Sequence, residues 1–351
     1  MQPNQLLQRH DSCLWSYKQI AAYCLIGVIL LTVQSLHAAN GKLEVTFFDV
    51  GQGDAILVTC PDGNHHMLID SGDTRYPDSS KHFRAFLNAA FTNKPHHLDV
   101  VVASHEHADH IGSMQWVLTN YQVNTYVDNG DTADTTMFAN LLTERRKQER
   151  AGKLNYIKGN ENSFSEVDFC PDVKMEIFLP WATVPSLSDQ NDRSVAVRLD
   201  FKTNSFLFVG DIEGEAEQVM LNQFTDKQRA LLDVDVLKVG HHGSDTSSRE
   251  GFIMAVSPQI AVISCGKKGT GTNERYKHPR LSTMRHFDDW FKNNPPTVKA
   301  TAAKIPAYDA DTGAWKQQTR PSGMWLTVKD GTVTVTSDGK ELKVNTVPTP
   351  N

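Results

Sequence analysis

The sequence predicts an α/β protein built from two packed sheets with helices outside. Two observations carry this. Strand-rich segments alternate with helical ones, in two comparable halves of the chain. Each half also holds a nearly wholly apolar strand, residues 98–103 and 234–239, that runs straight into a histidine-bearing loop. An apolar run of that kind belongs in the centre of a sheet covered on both faces.

The elements follow in order. Residues 43–50, 55–59 and 67–70 read as strands, with Gly51-Gln52-Gly53 and Pro61-Asp62-Gly63-Asn64 as turns. Residues 82–91 are helical and stop at Thr92-Asn93-Lys94-Pro95. The central strand 98–103 leads through its loop to a helix from about 113 to 120, and residues 136–151 form a charged, peripheral helix. In the second half, 173–179, 194–201 and 205–209 read as strands and 213–224 as an amphipathic helix. After the apolar strand 234–239 come a helix over 249–256, a strand over 260–264 and a helix over 281–292. Residues 324–329 and 332–337 flank Asp330-Gly331, a strong hairpin signal. Residues 41–345 are read as one domain.

The 351 residues are 39% apolar and 22% charged, ordinary globular values. Residues 1–39 read instead as a signal peptide. Arg9 and Lys18 precede the apolar run 20–33, and small residues follow at Ala38-Ala39. As a helix that run rises roughly 21 Å, short of the ~30 Å hydrocarbon core. The expectation is a secreted or periplasmic protein without a stable membrane span after cleavage. The alternative is an uncleaved anchor facing outside the cytoplasm, because Leu36 is not a small residue. An oxidising compartment favours one disulfide. Cys60 and Cys170, each followed by Pro-Asp at a turn, are the preferred pair, with Cys265 left over; three buried thiols are the alternative.

The formal charge of −6 weighs against a protein coated in nucleic acid. A local basic groove is still compatible with it. The glycine-rich loop 266–280 holds Lys267, Lys268, Arg275, Lys277 and Arg280 against Glu274. Lys267, Lys268 and Lys277 are the candidate contacts to substrate phosphate; a solvated surface loop is the alternative.

Metal chemistry is written most densely in Ser104-His105-Glu106-His107-Ala108-Asp109-His110. In an extended loop, residues two apart point the same way, so His105 and His107 suit one ion. Asp109 and His110 point apart and suit a second. Imidazole with carboxylate is the ligand set of zinc, manganese or iron rather than of calcium or magnesium.

The pattern H-x-H-x-D-H resembles the signature of the metallo-β-lactamase superfamily. Further segments narrow the likeness: Val50-Gly51-Gln52-Gly53-Asp54-Ala55-Ile56-Leu57-Val58, then Leu68-Ile69-Asp70-Ser71-Gly72, Phe208-Val209-Gly210-Asp211-Ile212 and Leu237-Lys238-Val239-Gly240-His241-His242-Gly243-Ser244. In this order they resemble the metallo-β-lactamase domain of the ComEC family of DNA-uptake proteins, over residues 45–339. The resemblance implies a four-layer αββα sandwich with its active site along one open edge. It implies two divalent metal ions, Zn or Mn, the first on His105 and His107 and the second on Asp109 and His110, with Asp211 bridging. His241 is the favoured further ligand and His242 the fallback. Asp70 would support the ligands, and His278 of Tyr276-Lys277-His278-Pro279 would protonate a leaving group or stabilise a phosphate. Capping of the next helix is the alternative for Asp211, and a surface position before a helix is the alternative for His278.

Many superfamily members supply another histidine to the first metal, but residues 111–210 contain none. Asn191 and Ser194 stand in that interval, with Asp192 as a substitute ligand. The implied reaction is hydrolysis, foremost of phosphodiesters such as DNA. A lactone, β-lactam or head-group ester is the alternative substrate, and a non-catalytic metal- or protein-binding module the alternative class. The sequence does not determine an oligomeric state.

Overall fold

The computed structural model describes residues 40–75, 77–159, 164–184 and 187–349; the expected signal peptide, 1–39, lies outside them. The first half of the chain gives β1 (Leu43–Phe47), β2 (Ile56–Thr59), β3 (His66–Ile69), β4 (His97–Val102), β5 (Gln122–Asp128) and β6 (Asn155–Lys158). The second half gives β7 (Phe164–Cys170), β8 (Val173–Phe178), β9 (Ala196–Phe201), β10 (Asn204–Phe208), β11 (Val236–Lys238) and β12 (Ile260–Ile263). Five strands close the chain: β13 (Lys304–Asp309), β14 (Ala314–Thr319), β15 (Met324–Leu326), β16 (Thr332–Ser337) and β17 (Leu342–Val347).

They form an eight-stranded sheet ordered β17-β16-β1-β2-β3-β4-β5-β6 and a seven-stranded sheet ordered β15-β12-β11-β10-β9-β8-β7. β13 and β14 stand apart as a two-stranded ribbon. Alternation along the strands builds two cores. Val100 and Val102 of β4 face the layer between the sheets, beside Phe47, Ile69, Phe206 and Phe208. Val101 faces the other way and packs on Phe83, Leu87, Met114 and Val117, from helices Pro77–Ala90 and Met114–Asn120. Helices Gly214–Asn222, Glu250–Val256 and Leu281–Asn293 bury Met220, Phe252 and Phe287 against the second sheet. The αββα layering is the expected one. Among the described residues no helix is long and apolar enough to cross a membrane.

The Asp330-Gly331 hairpin is not formed. β15 runs parallel to β12 in the second sheet, whereas β16 pairs with β1 and β17 in the first. A helical turn, Thr327–Asp330, carries the chain between the sheets. Asp330 anchors it by accepting from Leu326 N at 2.9 Å and pairing with Arg320 at 2.7 Å. The Asp-Gly pair therefore marks a crossover, and the real hairpin follows one strand later, between β16 and β17.

Cys60, just after β2, is bonded to Cys170 at the end of β7. The disulfide ties the first sheet to the edge strand of the second, as the preferred pairing had it; Cys265 is buried and free. Closing so long a loop restricts the unfolded chain, so Cys170→Ser should lose about 2–4 kcal/mol of unfolding free energy. Urea unfolding with and without dithiothreitol reads this. Dithiothreitol should weaken the wild type by a similar amount and leave the variant unchanged.

Candidate metal centre and cleft

The chemistry-bearing residues sit just past the ends of strands. Asp70 follows β3, the loop from Ser104 to His110 follows β4, Asp211 follows β10, and His241 and His242 follow β11. β3 and β4 run parallel, as do β10, β11 and β12, so each group emerges at the carboxyl end of a parallel set. That is where open α/β sheets present ligands. The β1–β2 loop adds Gln52 and Asp54. Asp54 N donates to Asp109 O at 3.1 Å, and Gly72 N donates to Asp54 O at 2.8 Å. Gly53 permits this lacing: its φ is 138°, and a Cβ there would strike the Asp109 carbonyl.

Asp211 is the centre. Its Oδ2 lies 3.2 Å from His110 Nε2, 3.3 Å from His242 Nε2 and 3.7 Å from His241 Nε2. Each imidazole is pinned from behind through Nδ1. His110 donates to Asp70 Oδ2 at 2.8 Å, His242 to Ser264 O at 3.0 Å and His241 to Glu213 Oε1 at 2.6 Å. This fixes the tautomers and aims every Nε2 inward, the usual arrangement behind metal-ligating histidines. Asp70 also accepts from Ser104 N and Ser104 Oγ, both at 2.8 Å.

The donor set fits a divalent cation. Asp54, His110, Asp211 and His242 each offer one ligand atom, all within 4.8 Å of one another and all buried. Among the described residues, His110 Nε2, His242 Nε2, Asp211 Oδ1 and Asp54 Oδ1 are buried without a hydrogen bond. Charge balance points the same way. Asp54, Asp70, Asp109 and Asp211 are all buried, and Lys238, itself buried, pairs with Asp54 and lies 3.6 Å from Asp211. One amine cannot balance four carboxylates, and the carboxylates favour the protonated forms of His110 and His242. Burial pushes His242 down, but Asp211 and Asp54 bring it up to about 9. Burial likewise opposes charge on His110, which Asp211 and Asp70 nevertheless hold well above its ordinary value. Burial raises Asp211 too, yet His110, His242 and His241 outweigh it and hold the carboxyl well below the usual range. A bound cation would replace those protons.

The two histidines expected at the first site lie beside the cluster but outside the group of four. His105 Nε2 and His107 Nδ1 face each other at hydrogen-bond distance, 2.9 Å. Ser194 Oγ lies 3.3 Å from His105 Nδ1 and accepts from Asp211 N at 3.1 Å. Asn191 lines the cleft, and its Oδ1 is buried without a hydrogen bond among the described residues. Asp192 is not placed as a ligand. It accepts from Glu213 N at 2.8 Å and Ala216 N at 3.2 Å, so it caps the helix that Asp211 was alternatively expected to cap.

His278 is buried, not a surface residue. Gln52 Oε1 accepts from Gly266 N at 3.2 Å, which turns the Gln52 amide N–H toward His278 Nδ1 at 3.1 Å. Burial, then His241 and His242, hold the His278 imidazole well below its ordinary value. It is thus neutral, with Nε2–H left to donate. A cleft of about 380 Å³ lies over the cluster. Its wall from the basic loop is Arg275, Tyr276, His278 and Arg280. The expected phosphate contacts do not line it: Lys267 is exposed, Lys268 lies over Trp315 and Lys277 over Tyr308.

Asp70, His241 and His242 have φ of 59°, 43° and 52°. Left-handed backbone is rare for such residues and persists where the surroundings overdetermine it, often at functional sites. Four participants lay outside the sequence reading: Asp54, Lys238, Glu213 and Gln52. Lys238 alone left a signal, as a lysine inside an apolar strand.

The chain belongs to the metallo-beta-lactamase superfamily, whose family model matches residues 48–267. It is similar to ComE operon protein 3 of Bacillus subtilis, 29% identical over 277 residues, covering 75% of this chain and 32% of that protein. Competence protein ComA of Neisseria gonorrhoeae is 28% identical over 240 residues, covering 68% and 29%. Recombination protein 2 of Haemophilus influenzae is 26% identical over 268 residues, covering 75% and 29%. The chain thus spans about a third of the length of these relatives. Among solved structures, the metallo-beta-lactamase fold protein YhfI from Bacillus subtilis superposes with a TM-score of 0.39 at 11% identity, covering 67% of this chain and 91% of that one.

Two outcomes are expected. His242→Ala should weaken divalent-metal binding at least about tenfold, read by competition with a chromophoric chelator; wild-type affinity would leave the ligand role to His241. Lys238→Met should cost about 3–5 kcal/mol in metal-free protein, because it strands Asp54. Adding Asp54→Asn should recover most of that loss in urea unfolding.

Proposed function

We propose that this chain is an exported, metal-dependent phosphodiesterase, foremost a nuclease acting on DNA outside the cytoplasm. The observation that carries this reading is the composition of the cleft. Its floor is the buried imidazole–carboxylate cluster, and Arg275 and Arg280 stand in its wall. A cation site beneath two guanidinium groups suits a phosphate diester better than a neutral lactone or β-lactam. The ComEC-like motifs and the competence-protein relatives support the same substrate class. The Cys60–Cys170 disulfide supports an oxidising compartment.

His110, Asp211 and His242, with Asp109 beside His242 at 3.6 Å, would hold one divalent ion, Zn or Mn. His105 and His107, with the Asn191 oxygen, would hold the other. Ions bound there supply Lewis-acid stabilisation of developing negative charge and lower the pKa of water toward neutrality. The chain's own groups do the rest. Arg280, whose Nε lies 3.7 Å from Asp245 Oδ1, stands in the cleft wall and would bind a non-bridging phosphate oxygen. His278 offers its Nε2–H to an oxygen of the substrate, and Gln52 holds that ring in place. Glu213 steadies His241 and also accepts from Thr246 Oγ1 at 2.7 Å.

The test is a substrate panel with zinc- or manganese-loaded protein: plasmid DNA, a generic phosphodiester, a cephalosporin and a lactone. The two phosphodiesters should be hydrolysed. Asp109→Ala and His110→Ala should each lower turnover by at least about a hundredfold at saturating metal while the fold persists. Turnover of the cephalosporin or lactone alone would replace the phosphodiesterase reading, and no turnover of any of the four would favour a non-catalytic module.

A further inference from the structure

We propose that the β13–β14 ribbon and the basic loop beside it form a stacking surface that carries single-stranded nucleic acid away from the cleft, with Trp315 as its outer ring. This rests on the phosphodiester reading above and adds the strandedness of the substrate and a binding surface outside the cleft.

The ribbon is fastened directly to the cleft wall. Tyr308 N of β13 donates to Pro279 O at 2.9 Å, and Arg280 and Tyr308 form a parallel bridge. From there rings and cations alternate outward. The Arg280 guanidinium lies 5.2 Å from the Tyr308 ring centre, and Lys277 Nζ lies 4.6 Å from the same ring. Tyr308 pairs across the ribbon with Trp315, their ring centres 5.6 Å apart. Lys268 Nζ stands 5.6 Å from the Trp315 ring.

This face does little for the fold. β13 buries Ile305 and Ala307, but no residue of β14 is buried. The ribbon is held to the body through Ile305 and Ala307, and its other face carries Tyr308 and a partly exposed Trp315. Asp309, the acid at the end of β13, is already paired with Lys316. Flat rings with cations between them are the surface on which successive unpaired bases stack while amines meet the phosphates. A duplex hides its base faces and would find only the charges. This arrangement also gives two of the lysines that miss the cleft, Lys268 and Lys277, a place along the strand leaving it.

The experiment uses the full metal-loaded chain and phosphorothioate oligodeoxythymidine, which resists cleavage. Fluorescence anisotropy reads affinity for a long strand, a dinucleotide and a duplex of the long strand's length. Trp315→Ala should weaken long-strand binding at least about fivefold and lower the ratio of long-strand to dinucleotide affinity. Trp315→Phe, which keeps a ring, should recover most of it. Should Trp315→Ala not fold, Lys268→Glu at an exposed position should weaken the long strand and flatten its salt dependence. Unchanged long-strand affinity in these variants, an equal loss on the duplex, or a wild type that binds no single strand would overturn the proposal. Binding through Trp315 without hydrolysis of any phosphodiester would keep this surface and remove the phosphodiesterase reading. DNA cleavage with Trp315→Ala affinity unchanged would remove the surface alone.

Discussion

Burying negative charge is the constraint around which this end of the molecule is organised. Asp54, Asp70, Asp109 and Asp211 are out of water together. Isolated carboxylates in such a place would cost several kcal/mol each. Lys238 meets part of the imbalance from inside the second sheet, where an amine has no other reason to be. His110 and His242 meet more of it, backed by the Asp70 carboxylate and the Ser264 carbonyl and turned inward. What remains is a cluster whose charge and geometry are completed by cations. Metal binding and the stability of these loops are therefore linked.

The backbone carries the same constraint. Asp70, His241 and His242 hold left-handed conformations that the chain would not adopt alone. They are kept there by two cores that grip the strands behind them and by backbone hydrogen bonds between loops, from Ser71 N to His110 O and from His241 N to Gly210 O. Rigid strands thus leave the loops that bear the candidate metal ligands little freedom. The anion-facing wall is made differently. Asn273 binds Gly266 O and the backbone of His278, so a loop of low regularity is held by one buried side chain.

The proposed phosphodiester substrate would meet the protein on two scales. The cleft is large enough for a phosphate diester and its immediate neighbours. The ribbon lies beyond it, joined through Pro279 and Tyr308, and gives Ile305 and Ala307 to the core while β14 buries none. Its polarity, its rings and the lysines beside it are understood more easily as contacts to an extended ligand than as packing.

Much of the fold was legible in one dimension. The strands β1 to β4 and β8 to β12 announced themselves by apolar runs and turn residues, and so did the helices that cover them, because burial on a sheet imposes a short, local pattern. The ligand-dense loop after β4, Asp211 after β10 and the two histidines after β11 were visible as residue types at strand ends. The preferred cysteine pair was legible from matching turns. Other features depend on partners far along the chain. Strands β13, β14 and β17 are too polar to stand out from loops. Asp330-Gly331 has the local chemistry of a hairpin, yet the two flanking strands join different sheets, a choice made by their partners β12 and β1. Asp192, from a loop well before the helix that begins at Gly214, takes the cap of that helix and so leaves Asp211 free. Asp54 meets Lys238, and Gln52 meets His278, only when the β1–β2 loop is folded across the second sheet. Sequence determined which side chains stand at the ends of which strands; tertiary structure alone decided which of them face one another, because electrostatic partnership depends on distance in space and not along the chain.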